Sequence, residues 1–200
     1  MLCAVVVGLA ATAVAGETQP SGGEVETCPA ADRIAVPDQS RRFVQHRRIA
    51  GLPRPVVSSG LFQNRDGTFV WQVCDPFDIR TEIDDAGIRQ LVEGEEADGF
   101  GSDALQGVIR SMRLSDILRG RFDGLQDAFE VDRSAAAPVT GPWTVTLVPR
   151  DAGVRAAVTD IRIAGCQAVR EIRIDYRSGG QDTISVGDAV AVDGWIACPE

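Results

Sequence analysis

A two-residue period in hydrophobicity, carried by two separate blocks of the chain, restricts it to a mainly antiparallel β architecture. From Phe43 to about Leu91, apolar side chains tend to recur at every second position, which puts them on one face of a strand. Val56 to Asn64 and Thr68 to Cys74 are separated by Arg65-Asp66-Gly67, where glycine accepts a positive φ, so the two segments read as a hairpin. In its second strand Phe69, Trp71 and Val73 share one face, expected to be the buried one, and Val70, Gln72 and Cys74 share the other. Phe43 to Ile49 supplies a first strand, and Ile79 to Ile83 with Gly87 to Val92 a second hairpin. The pattern returns at Trp143 to Val148, Ala156 to Ala164, Val169 to Tyr176 and Asp182 to Val186. Strands at this spacing predict one sheet, curled rather than flat once it passes about ten strands.

Between the blocks the period changes. Glu93 to Asp103 is an acidic, glycine-containing loop, and Ser102-Asp103 offers an N-cap to a helix carrying Leu105, Val108, Ile109 and Met112 on one side. A second short helix is expected over Leu114 to Leu118, with Leu125 and Phe129 continuing the apolar side of this helical block after a break at Gly120 to Gly124. A helical turn over Ala30 to Val36 ends at Pro37.

Leu2 to Val14 is uncharged and apolar and runs into Ala13-Val14-Ala15, which reads as a signal peptide at residues 1–15, cut after Ala15. The run is shorter than the roughly 20 residues a membrane-spanning helix needs. Cys3 sits at the wrong end of it for a lipid-anchored cysteine, so a soluble exported protein is expected. Residues 16–29 are polar and glycine-containing, a disordered leader, and residues 30–200 make a single domain. The net charge of −9 and pI near 4.7 argue against nucleic acid and anionic membranes as general partners. Four cysteines follow the cleavage site, Cys28, Cys74, Cys166 and Cys198; an even count in an exported chain favours two disulfides, with three pairings open. A bridge between Cys28 and Cys198 is the expectation, because it would tie the ends of the folded region together. No C-x-x-C spacing occurs and His46 is the only histidine, so no metal site is expected.

Catalytic patterns are missing as well. There is no G-x-S-x-G elbow, and a chain without lysine has neither a P-loop nor an S-x-x-K nucleophile. His46, in the polar run Gln45-His46-Arg47-Arg48, reads as an exposed strand residue. The acidic loop matches no calcium-binding spacing and reads as solvated. The chain is therefore expected not to be an enzyme.

The order of features is more informative than any one of them. Phe43-Val44-Gln45, Ser59-Gly60-Leu61-Phe62, Arg65, Phe69-Val70-Trp71, Pro76, Ile83 to Gly87, Trp143 to Pro149 and Gly165 together resemble the LolA-type outer-membrane lipoprotein carriers, over roughly Gln39 to Val186. The resemblance implies an incomplete, unclosed antiparallel β-barrel with a lid of short helices, monomeric and soluble in the periplasm, with no cofactor. It implies an acylated lipoprotein or lipid cargo, received from an inner-membrane exporter and passed to an outer-membrane acceptor. Phe69, Trp71 and Val73, with Leu105, Ile109 and Met112, are then the expected acyl-binding lining. Arg65 takes the place of a family arginine that contacts the lid, although Asp66 follows it where the family commonly has proline. A binding or sensor module on the same scaffold, without transport, is the alternative.

Overall fold

The computed structural model describes residues 28, 40–84, 86–97, 116–117, 121–133 and 142–198. The expected signal peptide, nearly all of the expected leader, the turn expected at Ala30 to Val36 and the helix expected to bear Leu105, Ile109 and Met112 lie outside them. So does most of Leu114 to Leu118, of which Asp116 and Ile117 are helical.

Eleven strands form one sheet: β1 (Ser40–Arg48), β2 (Val56–Arg65), β3 (Thr68–Asp75), β4 (Ile79–Ile83), β5 (Ile88–Val92), β6 (Glu95–Glu96), β7 (Phe129–Asp132), β8 (Trp143–Pro149), β9 (Val158–Gly165), β10 (Val169–Tyr176) and β11 (Gln181–Val190). Their spatial order is β6-β5-β4-β3-β2-β1-β11-β10-β9-β8-β7, antiparallel throughout, with β6 and β7 at the two edges among the described residues. The single antiparallel sheet expected from the strand spacing is thus present, and it is unclosed, as the family resemblance implies. It consists of two meanders joined where β1 pairs with β11, from Ser40 opposite Val190 to Arg48 opposite Gln181.

Local chemistry explains the turns. Asp66 and Gly67 both take positive φ, 52° and 83°, so the β2–β3 hairpin closes with two residues in the left-handed region. Two elements differ from expectation. The strand placed at Ala156 begins instead at Val158, because Ala152–Ala157 forms a short helix, α1, whose N-terminus is capped by Asp151 accepting from the amides of Gly153 and Val154. Phe129, expected on a helix, opens the edge strand β7 and pairs opposite Pro149; only a 3-10 turn, Asp123–Leu125, precedes it.

The core lies against one face of the sheet. Val145, Leu147, Ile161, Ile163, Ile172, Ile174 and Ile184 are all buried there, beneath Ile117, Phe122 and Leu125 from the segment that connects the two edges. Trp143 closes one end: its Nε1 donates to the Cys166 carbonyl at 2.8 Å, and Phe122 packs edge-on at 6.2 Å. Gly165 leaves the room for that indole, since a Cβ there would stand 2.6 Å from the Trp143 ring and 2.2 Å from the Ala168 carbonyl oxygen.

The bridge expected between Cys28 and Cys198 is not formed. Cys28 pairs with Cys166 and Cys74 with Cys198, with Cα separations of 4.6 and 5.3 Å. The second bond fastens residues 191–198 across the outer face of β2–β4 as a strap. Gln63 donates to the Gly194 carbonyl at 2.9 Å and accepts from the Ile196 amide at 3.2 Å, and Arg80 donates to the Ile196 carbonyl at 2.8 Å. Beneath the strap Val70, Gln63 and Gln72 are buried, so the outer face of β3 is covered, whereas on the aromatic face expected to be the buried one Phe69 is buried and Trp71 and Val73 only partly so.

Gly165→Ala should lower stability by about 1–3 kcal/mol through overpacking against Trp143, read as a reduced midpoint in urea with an unchanged slope. An unaltered midpoint would show that the indole does not sit against Gly165.

Candidate functional site

The inner face differs between its two halves. Over β8–β11 it is mostly buried apolar core. Over β3–β5 the same face carries Trp71, Val73, Ile79, Ile83 and Ile88, all only partly buried, and Val92, which is exposed. Register places them side by side: Trp71 opposite Thr81, Val73 opposite Ile79, Phe69 opposite Ile83, Ile83 opposite Ile88 and Ile79 opposite Val92.

Trp71 is the centre of an aromatic group. Its ring stacks on Phe43 at a centroid distance of 3.8 Å and lies 5.9 Å from Phe62 and 6.4 Å from Phe69. Phe43, Phe62 and Phe69 are buried, so they hold the indole while it keeps part of its surface exposed. Glycine at position 60 lets β2 and β3 close up at a bulge beside them, where a Cβ would meet the Gln72 carbonyl oxygen at 1.9 Å. Phe69, Trp71 and Val73 therefore do share the inner face, while Leu105, Ile109 and Met112 fall outside the described residues. Phe43, Phe62, Ile79, Ile83 and Ile88 were not among the expected lining. Their place followed from the same alternation once cross-strand register was known, and register is what one strand's pattern lacks.

Polar groups interrupt the inner face at two places: Gln90 donates to the Thr81 hydroxyl at 3.0 Å between the aliphatic residues of β4 and β5, and a larger cluster lies near the end of β1 and the start of β11. Asp182, 1% exposed, accepts from Arg47 Nε at 3.0 Å and Nη2 at 2.8 Å, from Gln45 Nε2 at 2.8 Å, and from the Tyr176 hydroxyl at 3.1 Å. Burial first, and the Asp182 carboxylate second, push the Tyr176 hydroxyl far above its ordinary range, with Arg47 acting in the opposite direction. The cluster satisfies a buried carboxylate completely, so it reads as a polar clamp between the two meanders rather than as reactive chemistry. His46 points to the outer face and is exposed.

Arg65 lies at the end of β2, on the outer side. Its guanidinium pairs with Asp66 at 3.4 Å and stands 5.9 Å from the Trp195 ring of the strap. A cavity of about 210 Å³ sits under the same strap, lined by Gln72, Asp78, Arg80, Leu91, Gly94 and Ile196 to Cys198. Its polar groups already bond one another: Gln72 donates to Asp78, and Arg80 donates to Gln72 at 3.2 Å. Among the described residues no group of three or more His, Cys, Asp or Glu is arranged to hold a metal ion, and no helix is long and apolar enough to cross a membrane.

Tyr176 is the chain's only tyrosine, so tyrosinate absorbance reports this cluster alone. A raised folded-state pKa means that the stability it contributes is whole below about pH 10 and is lost as pH climbs through the folded value. Native protein should show no tyrosinate until well above pH 10, whereas urea-unfolded chain should titrate near 10. Titration of the folded protein near 10 would place the ring in water. Asp182→Ala, which strands Gln45, Arg47 and the tyrosine hydroxyl, should cost about 2–3 kcal/mol of stability, less than a fully buried pair because Arg47 is half exposed.

No protein-family model and no curated protein matches this chain. Among solved structures it is similar to the crystal structure of a LolA superfamily protein from Nitrosomonas europaea, at 10% sequence identity and a TM-score of 0.43, covering 82% of this chain and 91% of that one. What the inner face of this chain can do accordingly follows from its own geometry: a two-sided sheet, mostly buried on one half, with a partly exposed aromatic and aliphatic surface on the other.

Proposed function

We propose that the protein is a periplasmic carrier that takes acyl chains of a lipoprotein or other lipidated cargo onto the inner face of β3–β5, between receipt at an inner-membrane exporter and delivery to an outer-membrane acceptor. The observation that carries this reading is the asymmetry of the inner face. Trp71, Val73, Ile79, Ile83 and Ile88 form an apolar surface, crossed by the hydrogen-bonded pair Thr81 and Gln90, that the fold leaves partly exposed, although the same sheet buries most of the apolar side chains of its other half. Burying a sixteen-carbon chain is worth on the order of 12 kcal/mol at about 0.8 per methylene, before the costs of ordering and of displacing whatever covers the site. A fraction of that suffices for transient carriage. The two disulfides fit an oxidising compartment.

Protein purified from the periplasm without detergent should carry acylated species in native mass spectrometry. Trp71→Glu should reduce uptake of an acylated lipopeptide more than tenfold with an unchanged circular dichroism spectrum; unchanged uptake would remove the inner face from the reading. A clean apo mass with no uptake of added lipopeptide would favour a binding or sensor module on the same scaffold. Arg65→Leu tests the lid role expected of that residue: slowed release of bound lipopeptide supports it, whereas wild-type uptake and release would leave Arg65 as a partner of Asp66 and Trp195 alone.

A further inference from the structure

The β1–β2 hairpin overhangs the sheet. Its strands pair up to Arg47 opposite Val56, whereas β3 first meets β2 at Ser59 opposite Asp75, and β11 stops opposite Arg48. Residues 49–58 thus project beyond their neighbours. The tip is rigid, with a turn closed by the Leu52 amide on the Ile49 carbonyl at 3.1 Å, Gly51 at φ +87°, and Pro53 and Pro55 behind it.

This tip is apolar and exposed. Ile49 is 41% exposed, Leu52 51%, Val56 45% and Val57 44%, and Phe77, in the β3–β4 turn at the same end, 62%. Such side chains on one projection mark an interaction site rather than ordinary scatter. The charge around them is segregated too. Ser40 to Arg65 holds six of the chain's 20 arginines and none of its 29 acidic residues. Arg47 is committed to Asp182, while Arg48 and Arg54 flank the tip in the open.

We infer that the β1–β2 hairpin docks on an anionic lipid bilayer, with Leu52, Ile49 and Val56 entering the acyl region and Arg48 and Arg54 at the phosphates. A convex, narrow tip offers a protein partner little complementary surface, whereas apolar side chains rimmed by arginine match the layering of a bilayer interface. The remainder of the chain is strongly acidic and is repelled by the same surface, which orients the approach hairpin first. Asp75 and Glu93 stand on the β3–β5 side of this end and tilt the contact away from Phe77 and toward Leu52. The inference stands apart from acyl carriage, since none of the β3–β5 residues proposed to take the acyl chains takes part.

The test is sedimentation of the exported protein with vesicles of phosphatidylglycerol and phosphatidylethanolamine, against vesicles of phosphatidylcholine. Binding to the anionic vesicles should exceed that to phosphatidylcholine at least tenfold and weaken in 0.5 M salt, because exposed charges are screened. Leu52→Asp should lower it tenfold or more while lipopeptide uptake is unchanged, and Arg48→Glu with Arg54→Glu should do the same. Leu52→Trp should add a blue-shifted emission component on contact with the anionic vesicles. Equal binding by wild type and Leu52→Asp, absence of binding by wild type, or attachment only to vesicles containing a membrane protein would each overturn the inference. Loss of lipopeptide uptake with vesicle binding retained would count against acyl carriage alone.

Discussion

The pairing of β1 with β11 is the constraint on which the rest of the molecule depends. Two meanders, β1–β6 and β7–β11, are each local in sequence, but they become one sheet only through a ladder that joins Ser40–Arg48 to Gln181–Val190. Such a contact closes a loop of more than half the chain, from Arg48 round to Gln181, and its entropic cost must be met before the ladder returns anything. Side chains reinforce the seam on its inner side. Phe43 faces Val186, Gln45 faces Ile184, and Arg47 and Gln45 both converge on Asp182. The Cys74–Cys198 bond reinforces it on the other side, because the strap it anchors leaves β11 and crosses to β3. Cross-linking residues that distant restricts the unfolded chain more than a local bridge does.

Joining two meanders without closing the ring produces the asymmetry of the inner face. β6 and β7 stand at opposite ends of the strand order, and residues 97–128 connect them in sequence. Where that connection is described, Phe122 and Leu125 pack toward β7–β9, with Phe122 against Trp143. The β8–β11 half is therefore filled, and the β3–β5 half keeps apolar surface that its own strands do not cover. The outer face shows the complementary arrangement. The strap buries Gln63, Val70 and Gln72 on β2 and β3, whereas β9 and β10 carry ion pairs such as Arg162–Asp160 and Arg173–Asp175 in partial exposure.

Much of this was legible in the sequence where period and turn chemistry agree. Arg65-Asp66-Gly67 located the β2–β3 hairpin, and Val169 to Tyr176 was read with its observed bounds. Trp143, Val145 and Leu147 alternate as a strand should. Reading failed where short elements carry little pattern. Ala152–Ala157 has one buried residue, Val154, and only the Asp151 cap marks it as a helix. Phe129 was drawn into a helix by the apolar residues before it, although Phe129–Asp132 alternates. The strap could not be seen at all, since its burial depends on Cys74 and Gln63, more than a hundred residues away. The same holds for the disulfide pairing, which spacing alone does not choose. Of the inner-face group, Phe69, Trp71 and Val73 were visible from one strand, while Phe43 and Phe62 required the register of three.

Net charge is a coarse guide to what one patch of a surface meets, for a physical reason. A total of −9 describes the far field, but within about 10 Å at ordinary salt a surface responds to the charges nearest it. Here the acidic residues avoid β1 and β2 altogether, so the seam strand and its hairpin form a basic, apolar projection on an acidic body. Part of that arginine content is structural, as Arg47 with the buried Asp182 shows. Arg48 and Arg54 have no such duty among the described contacts, and nothing in the packing of β1 against β2 or β11 asks for Ile49 and Leu52 beyond the end of the ladder. A fold that needed only to close its sheet could turn with polar residues at that point; apolar side chains held outward on a proline-stiffened turn cost solubility, which makes the tip a feature to be explained by what it meets rather than by what it supports.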